Sequence, residues 1–374
     1  MKYGWLMLVC YCLLFSAVDV HATDKLEIGD WQRDLSLEKV DEMMQEDNTD
    51  GFSIRKYVSD VLEGKSSFTF REIWNRVQSQ ISGQWDAQKQ TLLHILALSV
   101  FAGLFVRFAG TIGEGDLGET GFYVVFLLLS GIIMTGFVGA YEVTEKALGH
   151  LVDFMKALIP SFSLALCYGG GMQSSLVFYE TMLIAMGLLE MIMKNILLPG
   201  VQIYFFLGVI NQLAEHRFSK MVELIGSVLR WSIKILFTVM IGYQGIQGML
   251  VPVMDRVRNN TVWNAARGLP GVGNTVGSVM DTVLGSGTLI KSAVGVGGLI
   301  VILILCIYPL IQLLIFTLLY RIGGAVVQPV SDRRIVMILQ SVAASGKILL
   351  GYIAASTLMF LLSIVIVLVS TNLC

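Results

Sequence analysis

One stretch, Arg267 to Gln328, sets the terms for the whole chain. It opens with a glycine-punctuated segment carrying Asp281 and Lys291, then becomes an apolar run from Ala293 to Pro309 that continues to Tyr320. A helix that crosses a bilayer needs about 20 apolar residues, and this run meets that requirement. Ahead of it, Val272, Val276, Val279, Met280, Val283 and Leu284 recur on one face, which predicts a short amphipathic helix with Asp281 among its polar residues. The stretch is therefore either a membrane-edge element feeding a spanning helix or part of a pore wall.

The rest of the chain is written in the same way. Of 374 residues, 55% are hydrophobic and 14% charged, with a mean hydropathy of +0.71. Soluble domains carry about one quarter charged residues, so the class is an all-α, polytopic helical membrane protein. Half of the 28 acidic residues fall between Thr23 and Gln90, which marks that segment as water-facing.

Lys2 followed by the apolar run Trp5 to Val18 reads as a secretory signal, with Val20-His21-Ala22 as its cleavage site. Residues 1–22 are then a signal peptide and residues 23–90 a small extracytoplasmic helical domain. In that domain Ser36 and Ser53 start short helices. Thr69 with Glu72 forms a capping box ahead of an aromatic stripe through Trp74 and Trp85.

Residues 91–374 form the polytopic domain, with about six to eight spans. The spans read as Leu92–Ile112, Phe122–Tyr141, Ser174–Met193, Ile196–Leu213, Met221–Met249, the opening stretch, and Ile353–Val369. Amphipathic interfacial helices are expected at Glu142–Lys156 and Ile335–Leu350, and Gly169-Gly170-Gly171 interrupts a short or re-entrant element. A polar loop holding Arg256, Arg258 and Arg267 follows Met249. Lys and Arg occur in most connections, so the loops do not set an orientation.

A weak internal repeat is visible. Pro199-x-x-Gln202 resembles Pro309-x-x-Gln312, and Ser232-Ile-Lys234-Ile-Leu echoes Ser345-Gly-Lys347-Ile-Leu. Duplicated membrane units place working sites at their interface.

Charge inside apolar periodicity supplies the candidate site residues. Glu223, Ser227, Arg230, Lys234 and Thr238 form a polar stripe at helical spacing. Each charge would cost at least ~2.5 kcal/mol at the bilayer centre, so the stripe faces protein, water or headgroups. Glu180 and Glu190 lie within one span, Glu190 four residues before Lys194. With Asp281, Lys291 and Lys347 these are candidate channel or packing residues.

No chemistry of catalysis emerges. The four histidines lie apart and no HExxH is present. The glycine clusters at Gly271–Gly277 and Gly295–Gly298 lack the strand–turn–helix context of a nucleotide site, and Gly285–Ser292 lacks the glycine before lysine of a P-loop. The five cysteines have no metal or disulfide spacing and read as small buried hydrophobes. The sequence thus points away from an enzyme, a cofactor, a metal or a nucleic-acid partner.

Several motifs resemble one family, the stage III sporulation protein AE of endospore-forming bacteria. They are Asp281-Thr-Val-x-Gly285, Leu289-Ile-Lys291-x-Ala293-Val-Gly295, Tyr308-Pro309, Val327-Gln-Pro329, Phe154-Met-x-Ala157-Leu-Ile-Pro160 and Lys194-Asn-Ile-Leu-x-Pro199. The resemblance implies a multi-pass protein of the mother-cell membrane around the engulfed forespore. It implies a secretion-like channel complex needed for forespore gene expression and integrity. Its implied partners are the other membrane proteins of the stage III sporulation A operon and stage II sporulation protein Q. It brings no catalytic residue or cofactor. Two rival readings remain: a non-conducting scaffold that anchors ring-forming partners, and a secondary transporter of a small solute.

Overall fold

The computed structural model describes residues 53–62, 116–214, 217–267, 273–329 and 331–372, with isolated positions at 41, 83, 93, 94, 97, 100 and 101. Every regular element among them is helical. They are α1 (Ile54–Leu62), α2 (Asp116–Tyr168), α3 (Met172–Leu189), a π-helical turn (Glu190–Leu197), α4 (Leu198–Leu213), α5 (Ser219–Arg267), α6 (Gly273–Val327) and α7 (Arg333–Asn372).

Five of these stretches are long and apolar enough to cross a membrane. The expected signal peptide lies outside the described residues, and of the span Leu92–Ile112 and the helix after Thr69 only the isolated helical positions 93, 94, 97, 100 and 101, and 83, are described. The Ser53-started helix is present as α1. The Ser53 hydroxyl accepts from the Lys56 N–H at 3.2 Å and donates to the Asp41 carboxylate at 2.7 Å, which caps the helix. α1 packs against α6 with Val58 fully buried, and burial pushes the Tyr57 phenol up.

The helices are longer than hydropathy alone suggests. α2 is one helix where a span, an interfacial segment and a second short element were expected, and it continues through Pro160. α6 likewise joins the amphipathic start to the apolar run and continues through Pro309. α7 fuses the expected amphipathic helix and last span, and α5 runs on to Arg267 where a polar loop was expected. The physical reason is common to all four. A helix satisfies its backbone locally whatever its side chains, so a change in polarity does not end it unless a cap or competing bond is present. α3 and α4 are divided where the sequence suggests, but by a π-helical turn rather than a break. Pro199 has no N–H to offer Asn195, and just before it the Leu198 N–H bonds Met193 O, an i→i+5 step.

α3 and α4 return antiparallel along α2, where Phe137 stacks on Phe205 with centroids 4.0 Å apart. α5 runs back along α4 and α3, and α6 and α7 form the second hairpin. α5 and α7 run parallel, because Gln244 meets Ser363 and Gly248 meets Ile366. The echoed motifs occupy comparable places. Pro199 and Pro309 lie in the first arms of two hairpins, while Ser232–Leu236 and Ser345–Leu349 lie in the second arms.

α2 and α6 pack closely where glycines face them. A Cβ on Gly298 would lie 2.7 Å from Leu158, and one on Gly295 would lie 2.9 Å from Phe162. The tightest approach is at Gly287, where a Cβ would meet the Tyr168 carbonyl oxygen. Gly287→Ala should therefore lower stability by at least about 2 kcal/mol. Gly285→Ala, which meets open space, should be neutral or gain up to about 1 kcal/mol. Thermal unfolding of the two purified variants in detergent measures the difference.

Candidate functional site

The one turn joining α2 to α3 gathers the buried charge of the described bundle. α2 ends through Gly171 N–H bonding Leu166 O at 3.0 Å and Gly170 N–H bonding Cys167 O at 3.0 Å. Gly170 sits at φ 80°, a left-handed conformation that glycine adopts without strain. Gly171 has no side chain to cap α3. The cap comes instead from Asp255, on α5. Its Oδ1 accepts from the Gln173 N–H at 2.8 Å and its Oδ2 from the Ser174 N–H at 2.9 Å and from the Ser174 hydroxyl.

Asp255 is 6% exposed. A buried carboxylate is costly unless its oxygens are bonded, and here the first-turn amides of α3 and the positive end of that helix supply the compensation. On the other side of the turn lies Lys291 of α6, 2% exposed. A Cβ on Gly169 would lie 3.4 Å from Lys291 Cδ, so the lysine stem runs against the carbonyl end of α2. The turn is thus flanked by a buried anion beside the amide end of one helix and a buried cation beside the carbonyl end of the other. Both charges have the sign that favours their helix end.

A polar seam extends inward from this turn. Ser163 and Ser175 tie α2 to α3, with their hydroxyls 2.8 Å apart. Ser174, Thr181, Gln244, Gln247 and Ser363 then border a cavity of about 30 Å³ between α3, α5 and α7. Thr181 donates to Gln247 across α3 and α5, and Ser363 donates to Gln244 Oε1 at 2.7 Å across α7 and α5. This arrangement offers hydrogen bonds and fixed charge but no nucleophile–base pair. Among the described residues, no group of three or more His, Cys, Asp or Glu side chains could hold a metal.

The sequence matches the family described as Stage III sporulation protein AE (spore_III_AE) over residues 52–371. The chain belongs to the stage III sporulation protein AE family. It is similar to Stage III sporulation protein AE of Bacillus subtilis (strain 168), with 21% identity over 314 residues, covering 83% of this chain and 79% of that protein. No solved structure matches the chain.

In this member of the stage III sporulation protein AE family, the expected site residues separate. Lys291 is at the turn, while Glu180, Glu190, Glu223, Arg230, Lys234 and Lys347 are exposed. Asp281 lies on α6 with its side chain outside the described set. Glu190 is held not by Lys194 but by Lys156 of α2, at 3.3 Å. The wider π-helical turn between Glu190 and Lys194 changes the four-residue register on which the expected pair relied. Glu223 pairs with Lys220 at 3.2 Å, and Arg230 donates to Ser227 at 3.4 Å. Cys306 is buried as expected, but Cys167 is exposed.

Asp255 and the glutamines were missed because the polar residues after Met249 read as a loop. The signal was available. Gln244, Gln247 and Asp255, at steps of three and eight, share one face of a helix that continues past Met249. Asp255→Ala should destabilise the protein by about 2 kcal/mol through loss of the cap. Asp255→Asn keeps one acceptor oxygen and should lose about half as much. Denaturant unfolding in detergent checks both.

Proposed function

We propose that this stage III sporulation protein is a membrane subunit of a secretion-like channel between mother cell and forespore, required for forespore gene expression and integrity. The reading is of a non-enzymatic protein in the mother-cell membrane around the forespore. Its N-terminal domain faces the intermembrane space. Its partners are the other membrane proteins of the stage III sporulation A operon and, across that space, stage II sporulation protein Q.

The observation that carries the proposal beyond family membership is the outward position of the α5 stripe. Glu223, Arg230 and Lys234 are exposed, while the interior is closed by fully buried side chains such as Phe126, Phe162, Leu313 and Tyr352. Exposed charges beside a filled core support a passage formed between chains, with the stripe facing a neighbour or the lumen. A scaffold reading draws on the same surface as a docking face for partners.

Charge reversal of the stripe (E223K, R230E and K234E together) in a sporulating host separates these readings. A channel subunit should keep its co-purifying partners and lose expression of a late forespore reporter. A scaffold should lose the partners first. An unchanged reporter with intact assembly would remove the stripe from the function.

A further inference from the structure

The cavity between α3, α5 and α7 is the place where the hydrogen bonds of the polar seam do not close. Gln244 is 4% exposed, and its Nε2 meets no acceptor among the described residues. At the other end of the same amide, Oε1 lies 2.7 Å from the Ser363 hydroxyl, which also lies 2.6 Å from Met359 O. A hydroxyl has one proton, so Ser363 donates fully to Gln244 or to the Met359 carbonyl, but not to both. Turning the amide over lets Nε2 donate to Ser363 while Ser363 donates to Met359 O. Oε1 is then the atom left over. In either arrangement one polar atom of a buried amide lacks a partner, and such an atom is costly.

The space beside it has a suitable size and lining. Gln244 borders the cavity of about 30 Å³, which is room for about two water molecules. Cavities walled only by apolar groups stay dry, whereas those offering two to four polar partners hold water. Phe178, Met182 and Val367 supply apolar wall here, but Thr181, Ser363 and Ser370 add hydroxyls to it. The Thr181 hydroxyl donates to Gln247 and that of Ser370 to Val367 O, which leaves their oxygens as acceptors. Of the buried side-chain atoms without a partner among the described residues, Gln244 Nε2 alone belongs to this lining. The lining extends from Thr371 to Ser363, about 12 Å along α7. Gln247, Ser370 and Thr371 are half-buried, while Thr181, Gln244 and Ser363 are buried. The polar wall thus begins at an accessible edge and ends at the unpaired amide.

We infer that this cavity is a water-binding site, in which about two ordered waters enter past Ser370 and Thr371 and complete the hydrogen bonding of Gln244. Water suits either orientation of the amide, because it both donates and accepts. Solvent is then a structural part of the joint between α5 and α7, held at the level where Gln244 meets Ser363. The space is too small to pass cargo, so the site stands independently of the channel reading. The competing occupant is a hydrocarbon tail, from lipid or detergent, lying against Phe178 and Met182.

Radiolytic labelling of the full chain in lipid nanodiscs separates the two. A brief X-ray exposure converts water to hydroxyl radicals where it stands, and these oxidise a methionine beside it. Met182 lines the cavity and Met186, one turn further along α3, does not, although they are 1% and 2% exposed. Met182 should oxidise about tenfold faster than Met186, as read by mass spectrometry. Gln244→Leu removes the unpaired amide and should bring Met182 down to the rate of Met186. Ser363→Ala leaves that amide in place and should keep Met182 fast. Equal rates at Met182 and Met186 in the unaltered protein, as a hydrocarbon occupant would give, overturn the inference. So does fast oxidation of Met182 that survives Gln244→Leu.

Discussion

The grip of Asp255 on the first amides of α3 is the interaction on which the rest of the arrangement depends. A long helix that reverses within a bundle leaves unpaired N–H groups at its new start, and water is scarce there. The turn's own residues are glycines, which can make the reversal but cannot cap the helix that begins after it. A carboxylate delivered by a different helix meets the need. For this to work, α5 must continue to the level of the turn, and it does so without a break from Ser219 to Arg267. On the opposite flank, Gly287 lets α6 touch the end of α2, and Lys291 passes beneath it. Two helix ends, two buried charges and a side-chain-free contact thus lock four helices at one place.

The consequences run along the bundle. With the turn fixed, α3 and α5 are held in a register that joins Thr181 to Gln247, and α7 is held where Ser363 meets Gln244. Buried side-chain hydrogen bonds of this kind contribute about 0.6–2 kcal/mol each in membrane bundles, and they specify which helices are neighbours. Charge not absorbed in this way is pushed outward. The stripe on α5 and Lys347 on α7 lie on the outer surface, where they can meet headgroups or neighbouring proteins. That division of labour, locking charges inside and contact charges outside, suits a subunit that works within an assembly.

Much of this was legible in the chain. The apolar runs announced a helical membrane protein, residue type alone placed the Ser53 cap, and Gly169–Gly171 stood out as an interruption. The motifs around Asp281, Lys291 and Pro309 pointed to the family. What hydropathy could not convey was continuity. Polar residues at Glu142–Lys156 and after Met249 read as departures from the membrane, whereas the backbone continued helical through both. Asp255 was hidden for the same reason, and because its partners lie 81 and 82 residues away. Lys291 carried a signal as a lone charge beside an apolar run. Whether such a lysine is buried or exposed depends on a neighbouring helix that a single sequence does not specify.

The most direct test of the locked turn is amide hydrogen exchange at Gln173 and Ser174 in the full chain. First-turn amides normally exchange rapidly because nothing within the helix accepts from them. Bonded to Asp255, both should exchange as slowly as amides in the middle of α3, and Asp255→Ala should speed them by well over the roughly 30-fold that the lost global stability imparts to mid-helix amides. Rapid exchange at Gln173 and Ser174 in the unaltered protein, or slow exchange that survives removal of Asp255, would contradict the account.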